Sequence, residues 1–246
     1  MLRVCGLSQR YPNGKLALAD FELTVEAGEL VIVLGGNGSG KSTLLRCITR
    51  TLKPSAGQVW LGGTDLCALE GEKLRRARLE LAMIWQHASL VRRRSVLTNV
   101  ATGALGRHST FRTAFGRLPV SELQEARGHL ADVGLADLAE QRAGTLSGGQ
   151  AQRVAIARAL AQRPRVLLAD EPVASLDPEA AEEIMRLLQR LARSRIAVLC
   201  VLHQVELAYA FADRVIGIRA GRMAFNLPRD QVSRDAVHRL YINEAA

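Results

Sequence analysis

The residues Gly35-Gly36-Asn37-Gly38-Ser39-Gly40-Lys41-Ser42-Thr43 combine four glycines with a lysine followed by two hydroxyl side chains. Glycines let a chain curl so that successive N–H groups point inward at phosphate oxygens, and a helix beginning beside them adds the positive end of its dipole. Lys41 can then reach the β- and γ-phosphates of a nucleoside triphosphate, and the Ser42 hydroxyl can ligate Mg²⁺. A second chemical element is Val166-Leu167-Leu168-Ala169-Asp170-Glu171, an apolar run ending in two carboxylates. Asp170 suits a metal held through bound water, and Glu171 can orient or deprotonate the water that attacks phosphorus. The third is Leu146-Ser147-Gly148-Gly149-Gln150, where a serine and two glycine amides form another anion-binding helix start. One nucleotide does not need two cradles. A head-to-tail pair of chains resolves this: the Ser147 segment of one closes over the γ-phosphate held by the other.

The elements that must position these residues follow from hydropathy and punctuation. Glu29 to Leu34 is a continuous apolar run, as in a strand buried on both faces, and it feeds the glycine-rich turn. A helix is expected from Lys41 to Leu52, with Leu44, Leu45, Ile48 and Leu52 on one face and Pro54 ending it. Leu2 to Leu7, Leu16 to Val25 and Gln58 to Leu61 read as an N-terminal β layer, and Leu81 to Trp85 as a second buried strand. From Ala88 to about Arg142 the pattern is helical and basic. Beyond Ser147 come a helix, the Val166 strand, a helix from Pro178 to Arg193, a strand from Ile196 to Leu202, then a short strand, a turn at Gly221 and a polar helical tail. Alternating strands and helices define an α/β fold.

The chain has 246 residues, of which 48% are apolar and 23% charged, which excludes disorder and fits a well-buried core. A formal charge of +9 points to anionic partners without choosing among them. No apolar run is long enough to span a bilayer, and Met1 to Gly6 lacks a signal-peptide core, so the expected location is cytoplasmic. Cys5, Cys47, Cys67 and Cys200 have no metal-ligand spacing and are expected to be reduced.

Taken in order, these motifs resemble the ATP-binding subunit of an ABC transporter over nearly the whole chain. The resemblance implies a P-loop NTPase (RecA-like) core with an N-terminal antiparallel β layer and an inserted α-helical subdomain. Residues 1–87 and 156–246 would form the core, and 88–155 the helical subdomain that carries the Ser147 motif. It also implies roles for further residues. Tyr11 matches the aromatic side chain that stacks on adenine, and Gln86 the glutamine that senses Mg²⁺, water and the membrane subunits. Ser175-Leu176-Asp177 matches the loop that crosses the dimer interface, although a helix cap before Pro178 is a compatible reading. His203, after the strand ending at Leu202, matches the switch histidine near the γ-phosphate. His87, His108, His129 and His238 are read as structural. Two positions depart from the pattern: Gly36, where proline, serine or alanine is common and whose glycine should loosen the loop, and Ala151, in place of a common glutamine.

A narrower likeness is to phosphonate-import ATPase subunits. It rests on Tyr11-Pro12-Asn13-Gly14, Gln86-His87, Ser95 to Val100, Pro172 to Pro178, and Leu105 to Arg112 with Phe115-Gly116-Arg117. The implied partners are a second copy of the chain, integral membrane permease subunits and, indirectly, a periplasmic solute-binding protein. Nucleic acid is not among them. The implied place is the cytoplasmic face of the inner membrane, as a peripheral subunit using ATP and Mg²⁺. Arg92, Arg93, Arg94, Arg107, Arg112 and Arg117 would face membrane partners or anionic lipid, or form a solvated basic face. The rival class is an ABC-type ATPase serving DNA or a carbon–phosphorus-bond-cleaving assembly. The DNA-acting type needs a long coiled coil or zinc hook between the halves of its site.

Overall fold

Two sheets of different kind meet at the glycine-rich loop. The computed structural model describes residues 1–108 and 119–241, so Arg112 and Arg117, with the rest of the 109–118 stretch, lie outside the described residues. β1 (Leu2–Arg10) and β2 (Leu16–Val25) pair antiparallel around a tight turn in which the Tyr11 N–H donates to the Lys15 carbonyl at 2.9 Å. β3 (Leu30–Leu34) leaves this layer, while β4 (Ala56–Leu61) and β5 (Thr64–Asp65) complete it in the order β2-β1-β4-β5. The remaining strands join β3. They are β6 (Leu81–Ile84), β7 (Val166–Asp170), β8 (Ala197–Val201), β9 (Arg214–Arg219) and β10 (Arg222–Pro228). Their order is β10-β9-β3-β8-β7-β6, parallel throughout except for the β9–β10 hairpin.

The sheet separates two cores, and period-2 alternation assigns each side chain to one of them. Leu30, Ile32 and Leu34 join Leu167, Ala169, Val198 and Cys200 on the helical side, whereas Val31, Val33, Leu168, Leu199 and Val201 face the antiparallel layer. α1 (Lys41–Ile48) packs between the sheets through Leu44, Leu45 and Ile48. α2 (Gly71–Ala77) lies outside them. The helical region includes α3 (Val96–Ala101), α4 (Val120–Asp132) and α5 (Gly148–Leu160), which runs through residue 155 into the core. α6 (Pro178–Arg193) buries Ile184, Met185, Leu187 and Leu188, each contributing roughly 1.5–3 kcal/mol of gross burial free energy. α7 (Val205–Phe211) and α8 (Arg234–Tyr241) complete the described elements with several short 3₁₀ turns.

Several boundaries differ from the sequence reading. α1 stops at Ile48 rather than Leu52, because Arg50 takes φ 56° and its buried guanidinium donates to the carbonyls of Leu66 and Leu69. That tertiary anchor, not Pro54, ends the helix. β6 ends at Ile84, leaving Trp85 40% exposed. The C-terminal region holds a full hairpin where one strand is expected. Ala220 and Gly221 both have positive φ, 48° and 76°, which suits the twist of a tight hairpin turn. The four cysteines are free, as expected.

Candidate active site

Parallel strands deliver their C-terminal ends side by side, the usual ligand edge of an α/β sheet. Register pairs Val33 with Val201, Val201 with Asp170, and Ala169 with Ile84. The glycine-rich loop after β3 therefore neighbours His203 after β8, Asp170-Glu171 at the end of β7, and Gln86 beyond β6. Residues separated by more than a hundred positions converge because four strand ends do.

The loop is held by contacts that only glycine permits. A Cβ on Gly35 would come within 2.4 Å of the Ile218 carbonyl oxygen, and one on Gly40, at φ 113°, within 2.5 Å of that of Ala17. The Gly221 N–H donates to the Ser39 carbonyl at 2.9 Å. A cavity of about 320 Å³ opens above it, lined by Tyr11, Lys15, Ala17, Asn37 to Thr43, Glu171 and His203. Lys41 is 5% exposed and its Nζ donates to the carbonyls of Gly35 at 2.7 Å and Gly36 at 3.0 Å. Burial pushes its pKa down, while the charges of Glu171 and Asp170 push it back up. Lys41 is thus a cation stored at the cradle.

Asp170 and Ser42 meet at one end of the loop. Burial, then the charge of Glu171, raise the Asp170 pKa against a hydrogen bond from Ser42 and the charges of Arg46 and Lys41. Asp170 Oδ1 is buried without a hydrogen-bond partner among the described residues. A buried, unpaired carboxylate oxygen beside a hydroxyl fits a hard divalent cation. Two such oxygens are far fewer than the six that a magnesium ion takes, so an ion held here would need further oxygens from nucleotide and water.

Glu171 holds φ 51°, a left-handed conformation rare for a side chain of its size, and its side chain meets His203. Glu171 Oε1 and His203 Nε2 are 2.6 Å apart. The Tyr11 hydroxyl shares a 3.2 Å hydrogen bond with Thr43 Oγ1, which ties the β1–β2 turn to the first turn of α1. Gln86 is exposed and outside the cavity lining. Its loop is nevertheless fastened to the helix that follows Ser147. Gln152 Nε2 donates to the Trp85 carbonyl at 3.3 Å, and Arg158 donates to the carbonyls of Ala88 and Ser89 at 2.8 and 2.9 Å.

Ser147 caps α5 in a capping box: its Oγ accepts from the Gln150 N–H at 3.3 Å, while Gln150 Oε1 accepts from the Ser147 N–H at 2.9 Å. Both Ser147 and Gly148 are exposed, and none of Leu146 to Gln150 lines the cavity. A Cβ on Gly148 would meet Leu176, and one on Gly149 would meet Ala180, each at 3.2 Å. Gly148 thus lets Leu176 of the Ser175-Leu176-Asp177 loop pack against the motif, and Gly149 does the same for the first turn of α6. Asp177 caps α6, accepting from the Ala180 N–H at 2.9 Å, so its capping reading holds.

The structure corrects one arginine. Arg107 is 16% exposed and pairs with Glu122 at 2.5 Å and Glu125 at 3.3 Å, so it belongs to an internal network rather than to a basic outer face. Arg92, Arg93 and Arg94 are exposed as expected. Lys15 and Gln152 went unrecognised in sequence. An exposed lysine four residues beyond Tyr11 in the same turn is a signal for the former; a glutamine 3% exposed on a helix has none.

Comparison with known proteins agrees with this geometry. Residues 18–174 match the family model described as ABC transporter. A "Phosphonates import ATP-binding protein PhnC" of Wolinella succinogenes is 45% identical over 99% of this chain and 89% of its own length. One of the same name from Frankia casuarinae is 50% identical over 92% and 89%. Among solved structures, CbiO1 from Clostridium perfringens, part of the ABC transporter complex CbiONQ, superposes with a TM-score of 0.84 at 30% identity over 97% of this chain and 92% of its own. The dimeric post-hydrolysis state of the cassette MJ0796, bound to ADP and Pi, gives 0.81 at 30% identity over 93% and 99%. A glycine cradle, a strand-end carboxylate pair and a capped Ser147 motif, in a chain so closely matched along its length, make this protein a member of the ABC transporter family, an ATP-hydrolysing subunit.

Proposed function

We propose that this chain powers phosphonate import as a peripheral subunit at the cytoplasmic face of the inner membrane, working as a homodimer with two composite ATP sites. The observation that carries the reading is the separation of two phosphate-binding devices within one chain. The cavity at Lys41 and the capped start of α5 at Ser147 do not share a lining residue. Each device is half a site, and a second copy supplies the other half. The dimeric form of the similar MJ0796 cassette supports this arrangement. The names of the relatives support phosphonate as the solute and a place in an import complex, whose further members would be a permease and a solute-binding protein.

Tyr11 stacks on adenine and the amides of Gly35 to Thr43 wrap the phosphates, with Lys41 turning from the loop carbonyls toward the β- and γ-oxygens. Ser42 and Asp170, with Gln86 nearby, would hold a Mg²⁺ bound with the nucleotide, which would supply charge neutralisation for the phosphates. Glu171 accepts the proton of the attacking water, in an orientation fixed by its backbone strain and its contact with His203. His203 carries a hydrogen-bond donor to the γ-phosphate side. The partner copy presents its Ser147 hydroxyl and Gly149 amide to the γ-phosphate, while Ser175 to Asp177 form the crossing loop. Closure gains charge-assisted hydrogen bonds, and their loss after hydrolysis reopens the dimer. The clamps from Gln152 and Arg158 onto the Gln86 loop make α5 move with that loop. A groove between β6 and α5, lined by Met83, Gly103, Gly106 and Arg158, opens beside it and suits a docking segment of a membrane partner.

The test is reconstitution of the chain with its permease and solute-binding protein in vesicles. Hydrolysis of ATP should rise when an alkylphosphonate is enclosed with the binding protein. Stimulation by phosphate or phosphite alone would reassign the solute. Salt-sensitive stimulation by DNA would refute the transport reading.

A further inference from the structure

The chain from Gln86 to Arg94 forms neither helix nor strand, and its side chains give its far end little hold. Val91 is 56% exposed, and Arg92, Arg93 and Arg94 are exposed as well. One buried amide fixes that end through the backbone instead. Asn99, on α3 and 1% exposed, accepts from the Val91 N–H at 2.7 Å through Oδ1. Its Nδ2 donates to the carbonyls of Val91 at 3.2 Å and Ser95 at 2.9 Å. The amide thus stands in for a neighbouring strand at Val91. From there the chain enters a short antiparallel strip. The Arg92 and Arg94 carbonyls accept from the N–H groups of Gly144 and Ala143 at 3.0 and 2.9 Å, and Ser95 pairs with Arg142. The 3₁₀ turn at Ala143–Thr145 then delivers Leu146 and Ser147.

We propose that Asn99 is a positioning residue for ATP hydrolysis, fixing Val91 so that the Gln86 loop and the Ser147 motif of one chain move as a unit. Gln152 and Arg158 grip the near part of the loop, between Trp85 and Ser89. A grip there alone leaves the rest free to pivot, and the bonds at Val91 supply the second point that stops the pivot. A buried amide paired at both ends resists displacement, because parting it from the backbone leaves donors and acceptors unmet. The inference rests on the composite-site reading, in which Gln86 attends the chain's own ATP and Ser147 the ATP of the partner. Asn99 then links the two ATP sites of the dimer without lining the nucleotide cavity.

Asn99→Ala in the full-length chain removes every bond of the amide. Val91→Pro removes only the N–H that Oδ1 accepts, at an exposed residue, and leaves α3 whole; it decides alone where Asn99→Ala does not fold. The alanine variant should lower kcat ~5- to 30-fold and the proline variant less, as expected for losing one or two net hydrogen bonds. Calorimetric ATP affinity of the monomer should stay within about twofold, since the Lys41 cavity is untouched. The ATP dependence of hydrolysis gives the readout that lost stability alone does not move. Two linked sites allow a Hill coefficient up to about 2, and it should fall to about 1 in both variants. A Hill coefficient that keeps the natural value in both variants overturns the proposal, as does ATP affinity that falls in step with kcat. Ser147→Ala is the control: normal hydrolysis there breaks the composite-site reading itself, whereas silent Asn99 and Val91 variants beside an inactive Ser147→Ala break only the role of Asn99.

Discussion

Replacing Glu171 by glutamine separates holding ATP from spending it. The side chains are isosteric, both occupy the strained φ of 51° equally, and the glutamine carbonyl still accepts from His203 at the 2.6 Å contact. Geometry is therefore retained, and two electrostatic changes remain. Loss of the proton acceptor should slow turnover ~10²- to 10⁴-fold. Loss of a negative charge 18% exposed at the cavity wall relieves repulsion with the γ-phosphate. Two unit charges about 5 Å apart interact by ~3 kcal/mol at an effective dielectric of 20, and water in an open cavity reduces that to about 1 kcal/mol. ATP should then bind ~5-fold more tightly while products fail to appear. Calorimetric titration gives the affinity, phosphate release the turnover, and light scattering the closed dimer, which should accumulate with ATP. Turnover within tenfold of the natural chain, or weaker ATP binding, would refute Glu171 as the base.

The same substitution bears on pH. Asp170 is raised by burial and by the charge of Glu171, so as pH falls it takes up a proton above the ordinary aspartate range, and on the proposed reading a metal held there would be released. In Glu171→Gln the second cause disappears, and the acid limb of Mn²⁺ binding, followed by paramagnetic relaxation, should move to lower pH; a limb that stays put contradicts the coupling. Ser147→Ala removes the cap of α5, worth about 1 kcal/mol, and should lower Tm slightly. ATP binding by the monomer should persist and hydrolysis should fall, whereas a proportional loss of monomer affinity would place Ser147 in its own chain's pocket. Arg158→Gln gives up the bonds to Ala88 and Ser89 and should uncouple ATPase rate from solute in vesicles while basal turnover survives.

What was legible in the sequence was the chemistry encoded in consecutive residues. The Gly35 to Thr43 loop, the Asp170-Glu171 pair and the Ser147 motif each announce themselves within a few positions, because strand, turn and helix are local. Their meeting was legible too, since parallel strands align their ends. Contacts between distant side chains and backbone left no such trace. Arg50 stops α1 by reaching carbonyls at positions 66 and 69, and Gln152 and Arg158 grip the loop around Gln86 from a helix about seventy residues away. The β9–β10 hairpin was missed although Met223, Phe225 and Leu227 alternate with exposed neighbours, because β10 is an edge strand that buries no side chain fully and so lacks a strong apolar run.

Strand order has a mechanical corollary. β3, which carries the triphosphate grip, is flanked by β8 and β9, whereas β6, which leads to Gln86, has a single neighbour, β7. Stiffness therefore falls outward along the row, with the anchor bolted at the middle and the feeler hung on the margin. A swing of the helical region can tug the feeler without prying loose the anchor, so the cassette can report on its fuel without dropping it.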